Sequence, residues 1–400
     1  MLTLIANLGS TSFKYKLYDM PLAASHGNEK VLATGSSDRI GQGKSNTVVS
    51  NGIATSESTR DLADHAAAID LHLQELIALG VIDNIGQVKA VGYKAVHGGP
   101  ISGAVLVDDH VLGTMQQFAD VAPQHNPPYI AAMKAFAKKL PGVPQVAAFE
   151  TAFHQTIPLA RQVYGIPHEW TEKLGIRRYG FHGASHRYIA TRMAELAPAA
   201  KKIISCHLGG SCSITAIDNG KSVANSFGMT AQSGTFHASR VGDFDAFALL
   251  KLLKAGLTLD EIWNTLGKKA GLQGLSGVSA DMREVEVAAA GGNARARLAL
   301  DAFVETCRHY IGSYLVALGG ADALVFTGGI GQNGKAIRAA ICKDLDFAGI
   351  KIDHDKNLAA KGSEETRIFA AGSKAQIWVL PTNEELIVAR QTMEVLNKKK

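Results

Sequence analysis

Ile203-Ile204-Ser205-Cys206-His207-Leu208-Gly209-Gly210-Ser211-Cys212-Ser213 reads as a β-strand running into a Gly/Ser turn, and residues 214–217 continue as a second strand. The same sentence opens the chain. An apolar strand leads into Asn7-Leu8-Gly9-Ser10-Thr11-Ser12, and an alternating strand follows to Tyr18. Aligned, Leu8-Gly9 matches Leu208-Gly209, and Ser10 and Ser12 match Ser211 and Ser213 after a one-residue insertion. Both second strands end in aspartate, Asp19 and Asp218. A repeat separated by about half the chain predicts two similar domains.

The rest of the chain agrees with this reading. At 400 residues it is long enough for two or three domains. Its 46% hydrophobic and 19% charged residues exclude a disordered chain or a coiled coil. Helical periodicity over residues 61–79, 130–140, 246–255 and 294–318 alternates with short apolar strands at 90–96, 145–149 and 323–326. That order predicts an α/β architecture with helix-covered sheets. No low-complexity linker intervenes, so the expected junction is a hinge within residues 150–200. The expected domains are 1–150 and 151–384, with a final helix over about 385–400 returning to the first.

Composition also narrows the function. No apolar stretch reaches the 18 residues of a membrane span, and the first residues lack a basic n-region, so neither membrane nor secretion is expected. Cys206, Cys212, Cys307 and Cys342 show no metal-finger spacing and are expected to be reduced thiols of a cytoplasmic protein. The net charge of +5 is scattered, without a basic stripe interleaved with aromatics, so nucleic acid is not the expected partner. A small anion suits the charge and the 41 glycines.

Several stretches carry chemistry. Either Gly/Ser turn alone reads as an ordinary hairpin, but the two in matching frames favour a phosphate, which backbone N–H groups and hydroxyls bind. Thr327-Gly328-Gly329-Ile330-Gly331-Gln332-Asn333 follows a strand and leads into a helix, without the spacing of a dinucleotide fingerprint. His97, His125, His154, His182, His186 and His207 match no zinc pattern. His182, set in Arg177-Arg178-Tyr179-Gly180-Phe181-His182-Gly183, stands where charge is handled. Pro381-Thr382-Asn383-Glu384-Glu385 reads either as a helix cap with acids in its first turn or as a Mg²⁺ carboxylate, and the residues leave both open.

Together these stretches resemble the acetate kinase family, short-chain acyl kinases of the actin/hexokinase/Hsp70 superfamily. The resemblance rests on Asn7 to Lys14, Val96-His97-Gly98-Gly99, Ala122 to Pro128, Thr151 to Thr156, Arg177 to Ser185, Cys206 to Ser213, Asp281-Met282-Arg283, Phe326 to Asn333 and Pro381 to Leu386. They run in family order along essentially the whole chain. The resemblance implies a duplicated, ribonuclease-H-like two-domain fold with an active-site cleft between the domains. It also implies a homodimer, with Mg²⁺ (or Mn²⁺) and ATP/ADP used to phosphorylate a small carboxylate.

Carried over by match, Asn7 and Glu384 are implied to place the metal, and Lys14, Ser10 and Ser12 to approach phosphates. Glu150, His182 and Arg240 are implied to be catalytic. His207, Leu208, Gly209, Gly210 and Ser211 are implied to hold phosphates. Asp281, Met282 and Arg283, with Gly329, Ile330, Gly331, Gln332 and Asn333, are implied to line the adenosine pocket. The acyl substrate falls to Lys94, Val96, Gln124, His125, Phe181 and Ala231.

The chain departs from the family pattern at these centres. Lys94 stands for an Arg, Glu150 for an Asp, Gly210 for an Asn, Pro100 for a Glu, Gln124 for a Leu and Ala231 for a Pro. Lysine keeps the charge but loses the planar two-point fork, so carboxylate orientation is expected to loosen. Gln124 is expected to bring an amide into the acyl pocket and Ala231 to remove wall volume, so activity with acetate is expected to be weak and an acid that is longer or carries a hydroxyl or amide to be preferred. Two further readings stay open at this point. One is the same fold with another donor or acceptor, such as pyrophosphate or a polar or longer acid; the other is a catalytically silent nucleotide-binding protein.

Overall fold

The two strand–turn–strand repeats occupy equivalent places in two separate sheets. In the computed structural model, which describes residues 1–21, 27–101, 103–123 and 125–398, β1 (Leu2–Leu8) pairs antiparallel with β2 (Phe13–Asp19). Likewise β9 (Lys202–His207) pairs antiparallel with β10 (Ser213–Asp218). The chain divides into two units, Met1–Ala152 with Asn383–Lys400, and Phe153–Thr382.

In the first unit β3 (Lys30–Ser37), β4 (Lys44–Ser50) and β5 (Thr55–Asp61) extend the sheet antiparallel beyond β2. On the other side β6 (Ala90–Ala95) pairs parallel with β1, β8 (Gln145–Phe149) parallel with β6, and β7 (Ala104–Leu106) antiparallel with β8. In the second unit β11 (Lys221–Asn225) lies beyond β10, and β12 (Ala323–Thr327) and β14 (Gln376–Val379) follow β9 in parallel. The short β13 (Thr366–Arg367) closes that edge. The orders β3-β2-β1-β6-β8 and β11-β10-β9-β12-β14 are therefore the same core built twice.

Helix limits differ slightly from the periodicity. The helix expected from residue 61 starts at His65, because β5 runs to Asp61 and Asp64 caps the helix by accepting from the Ala67 N–H at 2.8 Å. The helix expected from 130 starts at Asn126, where prolines at its first positions are tolerated. The glycine run after β12 does not merely precede a helix: Gly328–Asn333 is itself a helical turn, followed by the helix Lys335–Cys342.

Period-two alternation sorts each strand's residues between two faces. In the second unit Ile204, Cys206, Ile214, Ala216, Leu324 and Phe326 join the core that the helix Ala294–Leu318 covers. The alternate residues Ile203, Ile217, Ala323 and Val325 meet Ile189, Ala190 and Met193 of the helix Gly183–Leu196. Continued two residues on, that second face turns polar: Ser205, His207, Ser213 and Thr215. In the first unit Leu4, Ala6, Phe13, Tyr15, Val91 and Tyr93 build the main core with the helices His65–Ala78 and Asn126–Lys139.

The opposite face of the first sheet takes the helix Glu384–Asn397. Thr3 Oγ1 lies 3.9 Å from Met393 Sδ, and a Cβ placed on Gly92 would come within 2.3 Å of Thr392 Oγ1 and 2.7 Å of Ile5 Cδ1. Glycine at 92 is what lets helix and strand meet. Gly92→Ala should therefore destabilise the protein by about 1–3 kcal/mol through overpacking, read as a lower urea midpoint. Adding Thr392→Ala to that variant should recover part of the loss.

Candidate active site

Each unit carries a polar group at the carboxyl ends of its central strands. In the second unit it is rich in histidine. His182, with φ 56°, precedes the helix Gly183–Leu196, and its Nδ1 lies 2.8 Å from Ser213 Oγ. Its ring stacks obliquely on His207, centroids 4.2 Å apart, while Nδ1 of His207 lies 2.8 Å from Ser185 Oγ. His186, wholly buried, spans Ser205 and Ser213 through its two nitrogens at 2.9 and 2.8 Å. His154 sits between Ser222 Oγ at 2.9 Å and the Phe181 carbonyl at 2.8 Å. Burial pushes His154 down to about 4 and His186 well below the usual histidine range, so both are neutral.

The turn after β9 lies beside this group. Among the described residues the N–H groups of Gly209, Gly210 and Ser211 donate to no protein acceptor. The Leu208 carbonyl accepts from Ile330 at 2.8 Å and from Gly331 at 3.0 Å, and its N–H donates to the Thr327 carbonyl at 2.8 Å. At Gly328, φ is +75° and a Cβ would stand 2.6 Å from the Leu208 carbonyl oxygen. Two loops that are far apart in sequence thus touch backbone to backbone.

Arg240 belongs to the same assembly. The Ala238 N–H donates to the Gly210 carbonyl at 3.1 Å, and the Cys212 N–H donates to Nδ1 of His237 at 2.9 Å. The Arg240 guanidinium donates to the Ala231 carbonyl, and burial pulls it below the ordinary arginine range. Gly210, exposed, has open space where a Cβ would go. Phe181 packs edge-on against Phe227.

In the first unit the polar group is charged. Lys94, on β6, forms an ion pair with Glu384 of the helix Glu384–Asn397, both side chains largely buried. Burial acts to lower the Lys94 ammonium, but Glu384, Glu150 and Tyr129 together hold it above the ordinary lysine range. Glu150 is buried just beyond β8, its N–H donating to the Ala95 carbonyl at 2.8 Å. Asn7 faces Lys14 across the β1–β2 pair and accepts from the Tyr129 hydroxyl at 3.4 Å. Lys14 and Ser10 are exposed, and Ser12 is half-buried. Lys16 reaches Glu385 at 3.3 Å, and Asn383 caps the helix by accepting from the Leu386 N–H at 3.3 Å. Asn383 to Glu385 therefore is the capped helix start, while Glu384 also answers Lys94. Val96 and His125 are half-buried nearby in sequence to this group, and Gln124 lies outside the described residues.

The adenosine candidates divide. Asp281 caps the helix Met282–Ala290 and pairs with Arg283, which holds its carboxyl down at about 2, whereas Met282 is packed in the core. No hydrogen bond joins them to Gly329–Asn333 among the described residues. The Gly328–Asn333 turn has its own anchor, missed in the sequence: the buried Arg338 donates to the carbonyls of Gly331 at 2.9 Å and Gln332 at 2.7 Å, and to Asn357 Oδ1 at 2.8 Å. Burial pulls Arg338 down to about 10. The signal available was a single arginine inside the apolar run Ala336 to Cys342.

A duplicated α/β core that sets unpaired loop amides beside an arginine and a histidine is the actin/hexokinase-like architecture of a phosphotransferase. The sequence pattern described as the acetokinase family matches residues 2–390. An acetate kinase of Natranaerobius thermophilus is 42% identical over all of both chains, and one of Dictyoglomus thermophilum is 44% identical with the same coverage. The crystal structure of Porphyromonas gingivalis acetate kinase superposes with a TM-score of 0.89 at 37% identity, covering 99% of each chain. A propionate kinase from Francisella tularensis gives 0.89 at 34% identity, covering 98% of this chain and 99% of its own. The chain belongs to the acetokinase family, and it is an acetate kinase-type phosphotransferase whose acceptor is a carboxyl group and whose nucleotide is ATP/ADP.

Burial of neutral histidine has a measurable consequence. His154 binds its proton near pH 4 in the folded chain and near 6.5 unfolded, so the unfolded state holds the extra proton between those values. Stability should therefore fall as pH drops from 6.5 to 4, by about 3 kcal/mol at most for this residue. Thermal unfolding followed across that range should show a flatter pH dependence in His154→Gln than in the unaltered chain.

Proposed function

We propose that this protein transfers the terminal phosphoryl group of ATP to acetate or a closely related short-chain acid, and runs the reaction backward from acyl phosphate and ADP. A carboxylate oxygen attacks the terminal phosphorus, and the bond from that phosphorus to the oxygen bridging it to the β-phosphate breaks. The observation that carries this reading is the set of unpaired amides at Gly209, Gly210 and Ser211, tied by hydrogen bonds to the loop of Arg240 in a chain of the acetokinase family.

In this reading His207 to Ser211 hold phosphate oxygens through those amides. Arg240 and His182 meet the equatorial oxygens of the transferring group, where charge spreads most in the transition state. Lys94 attracts the acceptor carboxylate, and the buried Glu150 carboxyl helps keep that ammonium charged. Lys14, Ser10 and Ser12 approach the nucleotide phosphates. Gly329 to Asn333 and Asp281 to Arg283 take the adenosine.

Mg²⁺ fits the hard oxygens of Asn7 and Glu384. Among the described residues no group of three or more His, Cys, Asp and Glu side chains could hold an ion alone, so the metal would need water and substrate phosphates to complete its shell. When bound, it would neutralise phosphate charge. A homodimer is supported by apolar side chains standing in solvent around two consecutive helices, among them Phe247, which precedes the helix Ala248–Lys254, at 80% and Trp263 of the helix Leu259–Lys268 at 59% exposure. A cytoplasmic setting is supported by the four cysteines, all buried free thiols. Among the described residues no helix is long and apolar enough to cross a membrane.

Trapping acyl phosphate as hydroxamate, with ATP, Mg²⁺ and acetate, propionate or butyrate, tests the whole reading; no product with any of them overturns it. Arg240→Ala should lower kcat by about 10²–10³-fold with a much smaller change in KM for ATP. Glu384→Gln, which keeps the shape and removes the charge, should raise the Mg²⁺ concentration for half-maximal rate by about tenfold or more. An unchanged Mg²⁺ titration would leave Glu384 as the partner of Lys94 alone.

A further inference from the structure

The hydrogen bonds that reach His182 can be followed proton by proton. Ser213 Oγ lies 2.8 Å from Nδ1 of His182 and 2.8 Å from Nε2 of His186. Ser205 Oγ lies 2.9 Å from the remaining nitrogen of His186, Nδ1. A serine hydroxyl has one proton and two lone pairs, and Ser213 is wholly buried with only these two rings as side-chain partners among the described residues, so its proton is used only if it donates to one ring and accepts from the other. His186 is wholly buried, and burial with His154 and His207 nearby keeps it neutral, so it has a single N–H.

Two directions are then possible. If His182 donated to Ser213 and Ser213 to Nε2 of His186, the His186 proton would sit on Nδ1 and point at Ser205. The Ser205 proton would then have no acceptor, since among the described residues its hydroxyl meets only His186, and Ser205 is wholly buried. A buried donor left that way carries its full desolvation cost. In the other direction every proton is used. Ser205 donates to Nδ1 of His186, Nε2–H of His186 donates to Ser213, and Ser213 donates to Nδ1 of His182.

We propose that Ser205, His186 and Ser213 form a one-way hydrogen-bond relay that fixes His182 as a neutral imidazole with its proton on Nε2, so that it meets the transferring phosphoryl group as a hydrogen-bond donor. The bond made by one imidazole nitrogen decides which nitrogen keeps the proton. The three relay residues touch no substrate; they are positioning residues acting through His182. The fold supplies the geometry. Ser205 and Ser213 fall on the same face of β9 and β10 by alternation, and His186 hangs over them from the first turn of the helix Gly183–Leu196. A donor fixed beforehand needs no reorientation when charge develops on the phosphoryl oxygens. The proposal rests on the reading of His182 as a catalytic residue.

The test is two-bond ¹H–¹⁵N NMR on the full-length protein labelled with ¹⁵N-histidine, the His182 signals being identified by their loss in His182→Gln. The unaltered chain should show His182 with its proton on Nε2. Ser205→Ala, two hydrogen bonds away from His182, removes the donor that sets the direction. It should move His182 toward the Nδ1–H form and lower kcat by about fivefold or more, with KM for ATP within about twofold. Ser213→Ala should lower kcat further, again without a matching change in KM. A His182 proton found on Nδ1 in the unaltered chain, or a Ser205→Ala variant with unchanged tautomer and kcat, overturns the relay. Full turnover by His182→Gln would instead remove the catalytic reading of His182 while leaving the tautomer result to stand or fall by itself.

Discussion

A buried imidazole nitrogen must find a partner or forfeit the hydrogen bond it had in water, and the second unit is arranged around that constraint. His154, His182, His186 and His207 lie close together, and each is answered by a serine: Ser222, Ser213, Ser205 and Ser185. Serine suits the task because one hydroxyl both donates and accepts, so rings can be chained without adding charge. The result is a polar layer in which burial keeps His154 and His186 neutral, lying beneath the helix Gly183–Leu196. Around it the apolar residues of the strands continue unbroken. The rings are held by these serine hydroxyls, and their orientation is inherited from the strands beneath.

The first unit meets the same problem with charge. Lys94 and Glu384 neutralise each other where β6 meets the start of the helix Glu384–Asn397, and Glu150 adds a second carboxylate to the field around the ammonium. An ion pair withdrawn from water is held by Coulomb attraction that strengthens as the surroundings dry, against a desolvation cost that also grows. The pair gives Lys94 a resting partner. Lys94 is thus engaged by a residue of its own unit, so a carboxylate drawn to it would compete with Glu384.

The duplicated core explains why both polar groups sit where they do. In each sheet the central strand has one antiparallel neighbour across the Gly/Ser turn and one parallel neighbour on the other side. Parallel strands end together, so their carboxyl ends gather loops at one edge, which is where ligand-binding loops of α/β sheets collect. Gly328 against Leu208 shows how tightly such loops seat: neither loop keeps its shape if a side chain separates them.

Much of this was readable in the chain. The matched turns at Leu8-Gly9 and Leu208-Gly209 marked the duplication, and strand–helix alternation set the fold class, because both depend on local periodicity and on turn chemistry. The residue types of the candidate site were visible for the same reason: Lys94, His182, Arg240 and Glu384 stand in recognisable local contexts. Tertiary structure alone decided their company. Nothing local tells that Lys94 would spend its charge on a carboxylate 290 positions away, or that Arg338 would brace the turn at Gly331. Nor does spacing tell that Ser205 and Ser213 would order the proton on His182. A sequence determines which groups can donate, accept or carry charge; which of them meet is settled by packing, since a buried polar group takes whichever partner the surrounding fold places within reach.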